Sequence, residues 1–206
     1  SIIAELPYTH RIELLEKNNT FILIGSTLCG GKAFLEDWSK PGGIFLSSFS
    51  KDMILKSDFK KLFGQLSKNH GMEYAIINKR QGYLISALEG LFFLDTTDNY
   101  VYKWNMTKLA SGEHSDAFVT NNPTSQQSIY AIRPFHGNQL VKYNYIQGQW
   151  KPEKLTDKLD FAHVLWQGDL LGRNSLIIGC RGGNKDLRIY HLEGGHFNNN
   201  YQVIDQ

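Results

Sequence analysis

Four segments of the chain share one layout of apolar and polar positions. Each opens on a polar residue followed by a largely apolar run: THRIELLE from Thr9, NHGMEYAIIN from Asn69, SDAFVTNN from Ser115 and AHVLWQGDL from Ala162. A second apolar run then ends in a glycine-bearing turn (FILIGSTLCGG, YLISALEG, IYAIRPFHG, LIIGCRGG). A third follows (GGIFLSSF, LFFLDTT, NQLVKYNYI, DLRIYHLE), and a fourth closes each unit (FKKLFGQL, MTKLA, PEKLT, YQVIDQ). Short β-branched and aromatic runs punctuated by glycine predict strands. The openings align at His10, His70, Asp116 and His163, at intervals of 60, 46 and 47 residues. The longer first interval is absorbed by the loop GGKAFLEDWSKPGG that follows Cys29. Four short strands recurring with a period in the forties are the signature of a β-propeller blade. Only HRIELLEK and the stretch Lys51 to Lys68 carry a spacing that also fits a helix.

The predicted fold is therefore all-β: a propeller with four blades in this chain, at approximately residues 7–58, 59–108, 109–156 and 157–206. SIIAEL reads as the fourth strand of a preceding blade, yet YQVIDQ already supplies one to the last unit. That surplus favours part of a larger ring over a closed ring of four. The exposed end faces would then need the missing remainder of the propeller, or a second copy, to cover them.

A radial repeat also predicts a site. The first strand of each blade lines the channel and the second runs antiparallel to it. The start of one and the end of the other therefore meet at the same rim. The inner positions are His10, His70, Asp116 and His163. The residues before the turn glycines are Cys29, Glu89, His136 and Arg181, separated from the inner positions by 19, 19, 20 and 18 residues. Histidine can move a proton near neutral pH, a buried Glu89 can act as a base, and Arg181 offers a fixed cationic fork. His70 and His136 are the acid–base candidates. His10, Cys29, Trp38, Glu89, Asp116, His163 and Arg181 are candidate ligand contacts, with Trp38 in the long first loop as a platform or lid. Repeated histidines can equally brace one blade against the next. A divalent metal is conceivable, but its ligands would come from separate blades, so spacing names none of them.

Composition narrows the field. The chain has 206 residues, 41% hydrophobic and 20% charged, with a net charge of +2 and a pI near 8.4. That balance suits a globular fold and points to neither nucleic acid nor a membrane surface as partner. Two cysteines, Cys29 and Cys180, are too few for a disulfide scaffold. No apolar run is long enough to span a bilayer, and no secretory leader is recognisable; the sequence leaves the compartment open, with a cytoplasmic setting slightly favoured. Walker, G-x-S-x-G and dinucleotide-binding contexts are absent.

Pro134-Phe135-His136-Gly137-Asn138, Thr9-His10-Arg11 and Asp37-Trp38 with Gly42-Gly43 carry a resemblance. On these motifs the chain is similar to the FG-GAP/VCBS-like propeller proteins of bacteria and fungi, and within them to the propeller module of aldos-2-ulose (anhydrofructose) dehydratases. The resemblance implies a seven-bladed ring and sugar dehydration or tautomerisation, with His10 and His136 as rim residues. The cupin modules of those enzymes have no counterpart here. Three readings follow: a sugar lyase or isomerase working by proton abstraction beside a carbonyl, a non-catalytic sugar-binding propeller, or a protein-interaction platform.

Overall fold

A computed structural model describes residues 5–17, 19–50, 59–96, 103–120, 127–193 and 196–205. These form four antiparallel sheets of four strands, each laid down in simple sequence order. The first blade contains β1 (Thr9–Lys17), β2 (Thr20–Gly31), β3 (Lys40–Ser50) and β4 (Lys60–Leu66). The second contains β5 (Gly71–Ile77), β6 (Arg80–Ala87), β7 (Gly90–Thr96) and β8 (Trp104–Ser111). In the third are β9 (Ala117–Val119), β10 (Ser128–Arg133), β11 (Gln139–Ile146) and β12 (Gln149–Thr156). The fourth is built of β13 (Ala162–Leu170), β14 (Arg173–Cys180), β15 (Leu187–His191) and β16 (Tyr201–Asp205). This is a β-propeller with four blades in the chain.

Each predicted apolar run is one of these strands. The first blade, however, extends past residue 58, because β4 pairs with β3 from Gly42↔Leu66 to Leu46↔Lys60. HRIELLEK is strand, not helix: it is β1, with Ile12 and Leu14 on one face and Glu13 and Leu15 on the other. In the stretch Lys51 to Lys68, residues 51–58 lie outside the described residues and Lys60–Leu66 is β4. SIIAEL lies mostly outside them too, since description begins at residue 5. Tight turns between strands use left-handed backbone, as at Asn78-Lys79 (φ 50 and 66) and Gln147-Gly148 (φ 50 and 80). Two successive positive φ values give the turn twist that matches a hairpin.

Packing shows how the blades join. One core cluster, with Ile24, Ile44 and Leu66 against Met72, Tyr83 and Leu94, fills the seam between blades one and two. A second, with Leu84, Leu91 and Phe93 against Ile129, Ala131 and Tyr143, fills the seam between blades two and three. The third joins Tyr130, Ile132 and Leu140 to Leu165, Leu176 and Ile178. Among the described residues no such cluster joins blade four to blade one. There the facing surfaces leave Ile12 and Leu14 each 56% exposed, and Val164 and Trp166 44% and 43% exposed. Apolar side chains left in water at both ends of the array mark a seam that has no second side.

Candidate functional site

Three of the four inner residues, the rim histidines, are entered through a strained turn. Tyr8, Lys68 and Phe161, each two places before a rim histidine, have φ of 60, 48 and 51. Left-handed backbone at a non-glycine residue costs energy and persists only where surrounding contacts enforce it. At Phe161 those contacts are visible. Arg188 donates to Asp186, Asp160 and the Lys158 carbonyl at 2.8, 2.9 and 2.9 Å. The amides of Arg181 and Gly182 bond the carbonyls of Phe161 and Asp160, both at 3.0 Å.

Three of the four inner residues brace the next blade. His10 Nδ1 donates to the His70 carbonyl at 2.8 Å. His70 Nδ1 donates to the Ser115 carbonyl at 3.0 Å. Asp116 accepts from the Leu165 amide at 3.2 Å. His163, on the last blade, instead places Nδ1 3.0 Å from Nε2 of His136. That loop is tied to blade four by Ala162 N–H donating to the Gly137 carbonyl at 3.0 Å.

Because a carbonyl can only accept, His10 and His70 carry their proton on Nδ1, which leaves each Nε2 as a lone pair. His70 is 1% exposed and its Nε2 is buried without any hydrogen bond. Ring nitrogens of His70, His136 and His163 all lie within 4.8 Å of one another. The His10 ring lies tilted against that of His70, at a centroid distance of 4.1 Å and 36° between planes. Burial pushes the imidazole of His70 down to about 2, helped by the nearby charges of His10, His163 and His136. His136 is pushed down to about 4, and His163 and His10 are lowered as well, each chiefly by burial. The cluster is therefore neutral at physiological pH, the state in which imidazole binds a metal.

Three imidazoles whose nitrogens lie within 4.8 Å of one another could hold a divalent ion if they drew together around it. Two nitrogens on one tetrahedral zinc stand roughly 3.3 Å apart, close to the 3.0 Å between His163 and His136. A ligating histidine normally donates its other ring N–H to a carbonyl or carboxylate, as His70 already does. An ion held there would replace the contact between His136 and His163.

Around this cluster Phe135 stacks on His136 at 3.9 Å, and Phe161 lies 4.7 Å from it. Trp38 meets Phe135 edge-on at 5.9 Å. Its loop is fixed by Asp37, which accepts from Ala33 and Ser39 amides at 2.9 Å each and is held at about 2 by those bonds, the Ser39 hydroxyl first.

The structure thus gathers His10, His70, His136 and His163, with Arg181 and Trp38 at the margin. Asp116 sits beneath, 3.7 Å from Arg11, and burial pushes its carboxyl up to about 7. Two expected contacts have other engagements. Glu89 takes the Ser67 amide on both oxygens at 3.1 and 3.0 Å, and Cys29 is buried in blade one beside Pro41. Sequence reasoning missed Lys68, Phe161 and His114; the first two share the position two residues before a rim histidine, which was the available signal.

No family profile and no curated protein matches this chain. Solved structures do match. A GH62 hydrolase in complex with xylotriose superposes with a TM-score of 0.59 at 11% identity, covering 92% of this chain and 68% of that one. At that identity the likeness establishes the fold alone. The neighbour is a five-bladed propeller, so the ring of seven implied by the resemblance has no counterpart in this comparison.

Proposed function

We propose that the rim histidines bind one divalent ion of the zinc class and that the site works on a sugar-like carbonyl compound as a lyase or isomerase. The observation that carries this is the buried, unbonded Nε2 of His70 set among the ring nitrogens of His136 and His163. A bound ion would supply Lewis acidity at the carbonyl oxygen. His70 and His136, expected as acid–base groups, are better placed as ligands. His10 keeps a free Nε2 beside them and is the base. It removes the proton from the carbon next to the carbonyl, and the electron pair moves onto the carbonyl oxygen, where a bound ion would offset the charge. Transfer of the adjacent hydroxyl proton to that oxygen, with return of the abstracted proton from His10 to the former carbonyl carbon, isomerises the sugar; collapse of the enolate with loss of the β-hydroxyl, which takes the proton back from His10 and leaves as water, dehydrates it. The sugar assignment draws support from the aromatic walls Trp38, Phe135 and Phe161 beside polar groups, and from the xylotriose in the fold neighbour.

The test is a metal titration of the purified chain, with elemental analysis, followed by assays on 2-keto sugars and aldos-2-uloses with and without chelator. One bound zinc and chelator-sensitive turnover support the reading. Absence of zinc binding overturns it. We further propose that the seam between blades four and one accepts a fifth blade, since both its faces are apolar and the neighbour's ring has five.

The exposed loop tip, with Phe34 67% and Leu35 80% exposed, favours the interaction platform as second reading. It predicts a protein partner lost on Leu35→Asp with no response to sugars.

A further inference from the structure

The charge pattern of the rim goes beyond a neutral sugar. Three uncharged imidazoles leave the charge of a divalent ion uncompensated, and the side chains next outward add to it. Arg181 is exposed, with Cζ 5.8 Å from the Phe161 ring, itself 4.7 Å from His136. Lys68 places Nζ 5.1 Å from the ring of Phe135, which stacks on His136. A guanidinium and an ammonium thus each stand one ring away from the same histidine, and both lower its proton affinity.

The carboxylates nearby are committed elsewhere. Asp116 faces Arg11 at 3.7 Å, Asp160 and Asp186 hold Arg188 at 2.9 and 2.8 Å, and Glu89 takes the Ser67 amide. Glu113 reaches Lys68 only at 3.9 Å. Among the described residues Arg181 has no ion pair. A cleft with an excess of positive charge and low-dielectric walls concentrates anions, and a planar guanidinium matches a carboxylate or phosphate in geometry.

We propose that the substrate is an anionic sugar, its carboxylate or phosphate held between Arg181 and Lys68 while the carbonyl end reaches the histidines. This rests on the histidine-site reading and names the substrate class for it. The experiment measures binding of three probes that share one 2-keto skeleton to the zinc-loaded chain: D-fructose, its uronate D-fructuronate, and its terminal phosphate ester. One or both anions should bind about tenfold tighter than fructose, the worth of one charged hydrogen bond. The preference should shrink as salt rises. Arg181→Gln should erase it and Lys68→Gln should reduce it, with zinc stoichiometry unchanged in both. The stronger anion distinguishes carboxylate from phosphate. If zinc binds but fructose binds as well as either anion, or none of the three binds, the anion proposal falls and the metal site stands. If zinc does not bind, the parent reading falls first.

Discussion

His70 and His114 are both interior histidines, and only one of them is placed to do chemistry. They are 1% and 0% exposed. Burial is the leading cause that pushes them down to about 2 and about 4. Each gives its Nδ1 proton to a main-chain carbonyl, Ser115 at 3.0 Å and Gly112 at 2.6 Å. The difference is the second nitrogen. Nε2 of His114 meets the Tyr143 hydroxyl at 2.7 Å, and Arg133 donates to that hydroxyl at 3.2 Å. Nε2 of His70 meets nothing and faces two more imidazoles. Burial and a shifted pKa are common to a brace and a binding group; the unsatisfied, convergent lone pair separates them. Leaving a buried acceptor unpaired costs about 1–3 kcal/mol, a cost that a ligand at that point would remove.

The largest expected effect is on metal affinity. Alanine at His70, His136 or His163 should weaken zinc binding roughly a thousandfold, since one of three protein ligands is lost from a site whose total binding energy is large. His114→Gln should leave it within about threefold, as it touches no part of the cluster. Competition with a chromogenic chelator measures both. Equal losses at His70 and His114 would break the comparison.

Stability without metal should run the other way. His114→Ala removes the partner of the Gly112 carbonyl and one of the two partners of the Tyr143 hydroxyl and opens a cavity in the second seam, at about 3 kcal/mol. For His70→Ala the expected cost is roughly 1 kcal/mol, because it gives up one bond and removes an unpaired nitrogen. Urea denaturation of the metal-free proteins decides the order.

The blades were legible because four conditions coincide in each: apolar runs of strand length, turn glycines, even spacing, and a polar opener. The convergence of His10, His70, His136 and His163 follows from that symmetry alone. What the sequence could not show is which ring nitrogen is free, since His10 and His70 look alike in a string and both serve as braces. His114 escaped although it stands two places before the aligned opener Asp116, because that place holds a different residue in each blade: Tyr8, Lys68, His114 and Phe161. HRIELLEK reads as the opening strand of the first blade, yet its spacing also passes for helix because Ile12 and Leu15 fit a helical face. The strand wins because Leu14 pairs with Leu23 across β2. The seam without a partner explains why both Ile12 and Leu14 stay exposed on the face away from Leu15.

Acid should expose the brace. The unfolded chain protonates His114 near 6.5, the folded one only near 4. Between those values the unfolded state binds more protons, so stability falls as pH drops through the window and levels off below it. The contribution of His114 to that fall is on the order of 3 kcal/mol. His70 and His136 add to the wild-type slope, so the informative quantity is the difference from His114→Gln, which keeps a donor for Gly112 without the titration. A flatter profile for the variant in metal-free protein is expected; parallel profiles would mean that His114 is not held neutral.

The smallest effect is the most pointed. Tyr143→Phe removes only the hydroxyl that satisfies His114 Nε2, and so gives that nitrogen the condition of His70. The loss should be about 1 kcal/mol, the worth of one buried hydrogen bond. Zinc should still not bind there, because an open lone pair is a site only when others converge on it. A new zinc equivalent in the Tyr143→Phe protein would show that an orphaned nitrogen is sufficient by itself, and the case for the rim cluster would lose its geometric half.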